Sequence, residues 1–132
     1  KYEGGIVVAP GGAVYINMPQ SGPSQPDSVI VSMDGGVTFT HAPTAGTSSV
    51  GANDEFSGPI GVLSDGSILM MTVHGNSQNN HTTFYTWKVG AAAWRKVGET
   101  TPHYIVEVVV IPGGGDTLYL VNDAGQISHL AV

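Results

Sequence analysis

The sequence predicts an all-β chain built from repeated four-stranded antiparallel units. Three observations carry that expectation: apolar runs hinged on tight glycine turns, a near-constant spacing between the hinges, and no stretch with sustained helical periodicity. The hinged runs read IVVAPGGAVYINM from Ile6, IGVLSDGSILMMTV from Ile60 and VVVIPGGGDTLYLV from Val108. Each is a β-hairpin pattern, with glycines supplying the positive φ that short hairpin turns need. Aligning Ala13, Ser67 and Thr117 gives steps of 54 residues (13 to 67) and 50 residues (67 to 117). The nearest approach to a helix, GAAAW at 90–94, is too short and opens on a glycine.

Further strands follow each hairpin in turn. After the first come SVIVS (28–32) and VTFTH (37–41). After the second come TFYTW (83–87) and AWRKV (93–97), and after the third QISHL (126–130). All are rich in β-branched and aromatic residues and bounded by Gly, Pro or Asn clusters. Four antiparallel strands in a unit of about 50 residues is the plan of a β-propeller blade, with strands A to D running outward from the axis. Blade 1 is expected over about 4–43, blade 2 over about 56–99 and blade 3 over about 104–132, the last lacking its outer strand. The chain then amounts to a single partial propeller unit, 1–132. An all-β sandwich of about eleven strands is the rival architecture, and the likeness of the three hairpins favours repetition.

Between the expected strands C and D of blade 1 lies SMDGGVTFT, residues 32–40. Ser32-x-Asp34-x-Gly36-x-Thr38-Phe39 resembles, at all its defined positions, the Asp-box S-x-D-x-G-x-T-[W/F] of the bacterial neuraminidase repeat, found in sialidases and in many other propellers. The resemblance implies a propeller and marks the fold rather than a function. The residue types suit a turn lock. Gly35 and Gly36 tolerate backbone angles closed to other residues. The Asp34 side chain can accept backbone N–H groups within the turn, Ser32 and Thr38 can bond locally, and Phe39 is expected to bury its ring between sheets. In blade 2 the corresponding stretch, TWKVGAAAWRKV, keeps an aromatic at Trp94 but has no Asp. In a blade, A–B and C–D turns share one end and B–C and D–A loops the other, so Asp34 should point away from any pocket.

Composition removes several function classes. Four Lys plus Arg against ten Asp plus Glu give a net charge of −6, which leaves phosphate-backbone binding almost no cations, so no nucleic acid is expected. There is no Cys, which removes disulfides, thiol catalysis and Cys-based zinc sites. No run approaches the roughly 18 to 20 apolar residues of a membrane-spanning helix. The first residues, KYEGGIVVAPGG, lack a signal-peptide pattern, which says little about export. Scarce charge with abundant Gly, Ser, Thr and Asn points to a secreted or extracytoplasmic protein.

Closed propellers have 4–8 blades, and three cannot close. The expectation is self-association, a two-chain six-bladed ring being the simplest arithmetic, or completion by the remainder of a longer parent chain. Open ends would otherwise expose apolar faces and unpaired edges.

Candidate chemistry lies in the loops at the B–C and D–A end: 18–27, 44–57, 74–82, 99–104 and 122–125. Binding-face candidates there are Asp27, His74, His81, Glu99, His103 and Asp123. Asp54, Glu55 and Glu99 could supply a carboxylate pair for glycoside hydrolysis, which needs two carboxyls about 5–9 Å apart. Adjacent Asp54 and Glu55 equally suit loop solvation or a turn cap. Tyr104 and Glu107, three apart near the inner strand of blade 3, could meet a pocket or be an ordinary strand Tyr and a solvated Glu. His74, His81 and His103 match no compact metal motif, so neither metal nor cofactor is expected. Asn80-His81-Thr82 fits an N-glycosylation acceptor and is a frequent chance match. Tyr85, Trp87 and Trp94 suit packing between blades better than sugar platforms.

The resemblance to sialidases implies an arginine triad for the substrate carboxylate, a Tyr nucleophile paired with a Glu, and an Asp acid/base. This chain has one Arg, Arg95, on an expected outer strand, so the clamp is missing and no catalytic residue carries over. The expectation is a sialidase-like propeller module that binds glycans or proteins, or scaffolds them, without catalysis. The alternative is part of a glycoside hydrolase whose active site is completed by further blades or a second chain.

Overall fold

A computed structural model describes residues 5–18, 28–47, 54–74, 81–100, 105–111 and 116–132, with 54–58 and 74 described for the backbone alone. The described residues form eleven β-strands and no helix. They make three antiparallel sheets of four, four and three strands, none of them closed. Sheet 1 contains β1 (Ile6–Val8), β2 (Val14–Met18), β3 (Ser28–Ser32) and β4 (Thr40–His41). Sheet 2 contains β5 (Asp54–Val62), β6 (Ile68–His74), β7 (His81–Trp87) and β8 (Arg95–Thr100). Sheet 3 contains β9 (Ile105–Ile111), β10 (Thr117–Asn122) and β11 (Ile127–Ala131). Within each sheet, strands adjacent in sequence are adjacent in space, so every connection is a simple reversal.

The first two hairpins share one register, and the third follows the same alternation around a turn two residues longer, measured between the matched pairs. Val14 lies opposite Val8, Ile68 opposite Val62 and Leu118 opposite Val110. The first two turns close alike: Gly12 and Gly66 sit at φ 88 and 82, donating their N–H groups to Ala9 and Leu63 carbonyls. Matched by the side of the sheet they face, Tyr15, Leu69 and Tyr119 are equivalent positions, and likewise Ile16, Met70 and Leu120.

Sheet 2 is the middle layer and is buried on both faces. Ile68, Met70, Tyr85, Trp87 and Trp94 pack with Tyr15, Val29 and Val31 of sheet 1. Leu69, Met71 and Phe84 pack on the other side with Ile105, Leu118 and Leu120 of sheet 3. Strand alternation sends successive side chains to opposite faces, so an apolar run such as Ile68–Met71 serves two cores at once. Trp87 and Trp94 stack obliquely in the first core, centroids 5.7 Å apart.

Direct hydrogen bonds fasten the layers together. The Trp94 indole N–H donates to the Pro43 carbonyl at 2.7 Å and its backbone N–H to Ala45 at 2.9 Å. Gly46, at φ 88, lets that chain lie against the Trp94 backbone, where a Cβ would collide with main-chain atoms. Between sheets 2 and 3, the fully buried Thr82 hydroxyl accepts the Ile105 N–H at 3.2 Å.

Three local expectations differ from the structure. The strand expected at 37–41 shrinks to Thr40–His41, because Asp34 takes the Val37 and Thr38 N–H groups into the turn. Asp54 and Glu55, expected in a loop, begin β5, opposite His74 and Val73, and the ladder then absorbs an irregularity between Ser57 and Gly61. Phe39, expected to be buried, is 40% exposed. Its equivalent in sheet 2 is covered by sheet 1, whereas no described sheet lies on the corresponding side of sheet 1.

Candidate functional site

The reversals divide the sheets into two ends. One end carries the β1–β2, β3–β4, β5–β6, β7–β8 and β9–β10 turns; the other carries the remaining connections. Ser32–Phe39 belongs to the first end and most of the candidate residues to the second.

In the Ser32–Phe39 turn every polar group of the motif is used internally. Asp34 Oδ1 accepts the Ser32 hydroxyl at 2.7 Å and the Val37 and Thr38 N–H groups at 3.0 and 2.9 Å, while Oδ2 accepts the Thr38 hydroxyl. Ser32 Oγ in turn accepts the Gly36 N–H at 2.8 Å. Gly35 and Gly36 sit at φ 75 and 94, in the left-handed region where a Cβ is disfavoured. Hydrogen bonds from Thr38, first its hydroxyl and then its N–H, hold the Asp34 carboxyl well below the usual carboxylate range, with Ser32 and Val37 adding to the effect. Four internal hydrogen bonds thus commit this carboxylate to the turn. The corresponding turn of sheet 2 has no Asp and is closed differently: the Trp87 indole N–H donates to the Ala91 carbonyl at 2.9 Å, and Ala91 N–H to Lys88. Lys88 Nζ reaches across to the Asp65 carbonyl, tying two turns of one sheet together.

At the opposite end of sheet 2, the ladder aligns several sequence candidates. Asp54 lies opposite His74 and His74 opposite His81 across three consecutive strands. One step in, Thr83 lies opposite Glu99 on β8. Glu99 accepts Lys96 Nζ at 2.7 Å and the Thr83 hydroxyl at 3.2 Å. The Lys96 bond is the main reason its pKa lies below the ordinary glutamate value, with smaller help from Thr83 and His81. Glu99 is therefore poised as an ionised acceptor; a general acid requires the opposite shift.

Two described candidates, Glu107 and Asp123, lie apart from this group. Glu107 is exposed on β9, opposite Val121, on the outward face of sheet 3. Asp123 is exposed in the β10–β11 turn, where Asn122 Oδ1 accepts the Ala124 and Gln126 N–H groups. Asp27, His103 and Tyr104 lie outside the described residues, as does Asn80 of the glycosylation pattern. Among the described residues, no group of three His, Asp or Glu side chains is placed to hold a metal ion. No helix among the described residues is long and apolar enough to cross a membrane. A crevice lined by Ser28, Val29, Ala42, Pro43, Thr44, Met70 and Trp94 encloses about 10 Å³, the room of a single water.

Sequence reasoning missed two polar anchors. Asp116, buried at the head of β10, and Ser64, in the β5–β6 turn, bond across sheets. Thr82 does the same at the other end. A Gly-rich run before a buried Asp was the one available sign for the first; an isoleucine-facing threonine gives none.

No family model matches this chain, and neither does any curated protein or solved structure.

Proposed function

We propose that this chain is part of a sialidase-like β-propeller that binds glycans or proteins, or scaffolds them, without catalysis, its ring completed by a second copy or by further blades. The observation that carries the reading is the Ser32–Phe39 turn. Its motif is complete, and its Asp34 carboxylate is consumed by internal hydrogen bonds, as befits an architectural marker. Repeated hairpins, the first two in one register, in sheets stacked face to face support blade-like repetition.

Chemistry supports the non-catalytic half of the proposal. The single Arg, Arg95, is exposed on β8, so this chain offers no arginine cluster for a sugar carboxylate. Glu99, the carboxylate whose surroundings are described at the loop end, is ion-paired and held ionised rather than protonated. Exposed Lys96 and Glu99, with half-buried His81, are suited to hydrogen-bonding hydroxyl-rich or peptide ligands. A secreted or extracytoplasmic setting agrees with the scarcity of charge.

The test pairs a glycan array, covering sialylated and neutral oligosaccharides, with a panel of fluorogenic glycosides. Binding without turnover is expected. Turnover of any glycoside by this chain overturns the non-catalytic reading in favour of a glycoside hydrolase.

A further inference from the structure

The two outward faces of the stack are largely apolar and lie on opposite sides of it. On sheet 1 the outward face presents Ile6, Val8, Val14, Ile16, Met18 and Ile30, with Ile6 66% and Val8 64% exposed. In the common register Val14 and Ile16 are the equivalents of Ile68 and Met70 of sheet 2, which are fully buried beneath sheet 1. On sheet 3 the outward face presents Val109, Ile111, Tyr119, Val121 and Ile127, with Glu107 beside Val121 and His129 beside Tyr119. Tyr119 is the equivalent of Tyr15, which shares a core with Ile68 and Met70 and is 3% exposed, whereas Tyr119 is 44% exposed. Each open face is thus the counterpart of the other, and the sheet 1–sheet 2 contact shows how such faces meet.

Phe39 identifies what is missing over sheet 1. It lies as far beyond Ser32 as Trp94 lies beyond Trp87, and Ser32 and Trp87 occupy the same register position, opposite Val14 and Ile68. Trp94 inserts between its own sheet and the preceding one and is 5% exposed. Phe39 is the same anchor with no preceding sheet to enter.

We infer that the outward face of sheet 1, with Phe39 as anchor, docks against the outward face of sheet 3 of a second copy of this chain, head to tail. The inference deepens the proposed ring and rests on it for closure: two copies related by a two-fold axis would form this contact twice. Tyr119 of one copy enters a shared core with Val14 and Ile16 of the other, as Tyr15 does with Ile68 and Met70. Both copies carry −6, so association strengthens as salt screens their repulsion.

Sedimentation velocity over a concentration series tests this with the 132-residue chain and two variants, Ile6→Glu and Tyr119→Glu. Both sites are exposed, and emission from the buried Trp87–Trp94 pair, which neither touches, reports folding. The wild type is expected to form a two-copy species, and each variant alone to associate roughly a hundredfold more weakly, a carboxylate being buried without a partner. Mixing the variants restores a two-copy species, weaker than wild type, because the intact Tyr119 of one meets the intact Ile6 of the other. If either substitution unfolds the chain, Phe39→Ala replaces Ile6→Glu and Val109→Lys replaces Tyr119→Glu. A wild type that remains single at all concentrations overturns the inference, as does undiminished association of either variant alone or a mixture that stays single. Association indifferent to every substitution, as in non-specific aggregation, overturns it too. A single-copy chain that binds glycans removes the docking and leaves the binding proposal standing; a two-copy chain that binds none does the reverse.

Discussion

The Asp116 carboxylate on sheet 3 accepts both the backbone N–H of Ser64, at 3.0 and 3.1 Å to its two oxygens, and the Ser64 hydroxyl, at 2.8 Å, from the turn of sheet 2. The partners are 52 residues apart, and Asp116 is buried, so this clamp fixes how the second core closes at its turn end. Thr82 and Ile105 fasten the same two sheets at the other end.

Asp116→Ala is expected to destabilise the fold by about 1.5–3 kcal/mol, the range for hydrogen bonds to a charged group. Asp116→Asn keeps one acceptor oxygen and should lose less. Urea unfolding followed by tryptophan emission gives both values. A loss below about 0.5 kcal/mol for the alanine variant would show that the clamp is replaced by water.

Trp94→Ala removes a ring from the first core and the bond to Pro43, and should cost about 3–5 kcal/mol. Trp94→Phe keeps most of the packing and isolates the hydrogen bond at about 1 kcal/mol. Phe39→Ala, at the equivalent exposed position, should cost well under half the Trp94→Ala value when measured on dilute chain. Equal costs would break the equivalence drawn between the two residues.

Gly46→Ala is expected to be among the most damaging glycine substitutions. It combines a positive φ with a collision against Trp94 backbone, which cannot rotate away as a side chain could. Gly12→Ala has a similar φ and nothing within reach of its Cβ, so it should show conformational strain alone, about 1 kcal/mol. Thermal unfolding of both variants separates collision from strain.

Asp34 makes stability depend on acid. Its folded pKa lies below the unfolded value, so its contribution is present above the unfolded pKa, near 4, and is lost as pH falls through the folded one. Wild-type melting temperature should therefore fall more steeply below about pH 4 than that of Asp34→Asn, and the two curves should converge in strong acid. Parallel curves would refute the assignment. Glu99→Gln, by contrast, removes an exposed ion pair and should change stability by less than about 1 kcal/mol near neutral pH.

Much of the fold was legible because its signals are local. SVIVS at 28–32 coincides with β3, and hairpin turns at Gly12 and Gly66 follow from glycines between apolar runs. The length of β4 was not legible, since it depends on whether Asp34 or a neighbouring strand takes the Val37 and Thr38 N–H groups. At the loop end, the alignment of Asp54, His74 and His81 was hidden because it follows from ladder register across three strands, not from spacing. Glu99 was nameable as a polar loop-end residue, but its pairing with Lys96 and Thr83 fixes its ionisation and came only with the sheet.

By itself the sequence determined most of the strands, the glycine turns and the two-sided apolar character of strands such as Ile68–His74. Alternation assigns each side chain to one of two faces, and glycine decides where the chain can reverse; both are properties of a few consecutive residues. Only the tertiary structure decided which faces meet. It buries both sides of sheet 2, joins Trp94 to Pro43 and Asp116 to Ser64, and leaves Phe39 and Tyr119 on open faces. The physical reason is that hydrophobic burial is non-directional: an apolar face must be covered, but its own residues do not specify by what.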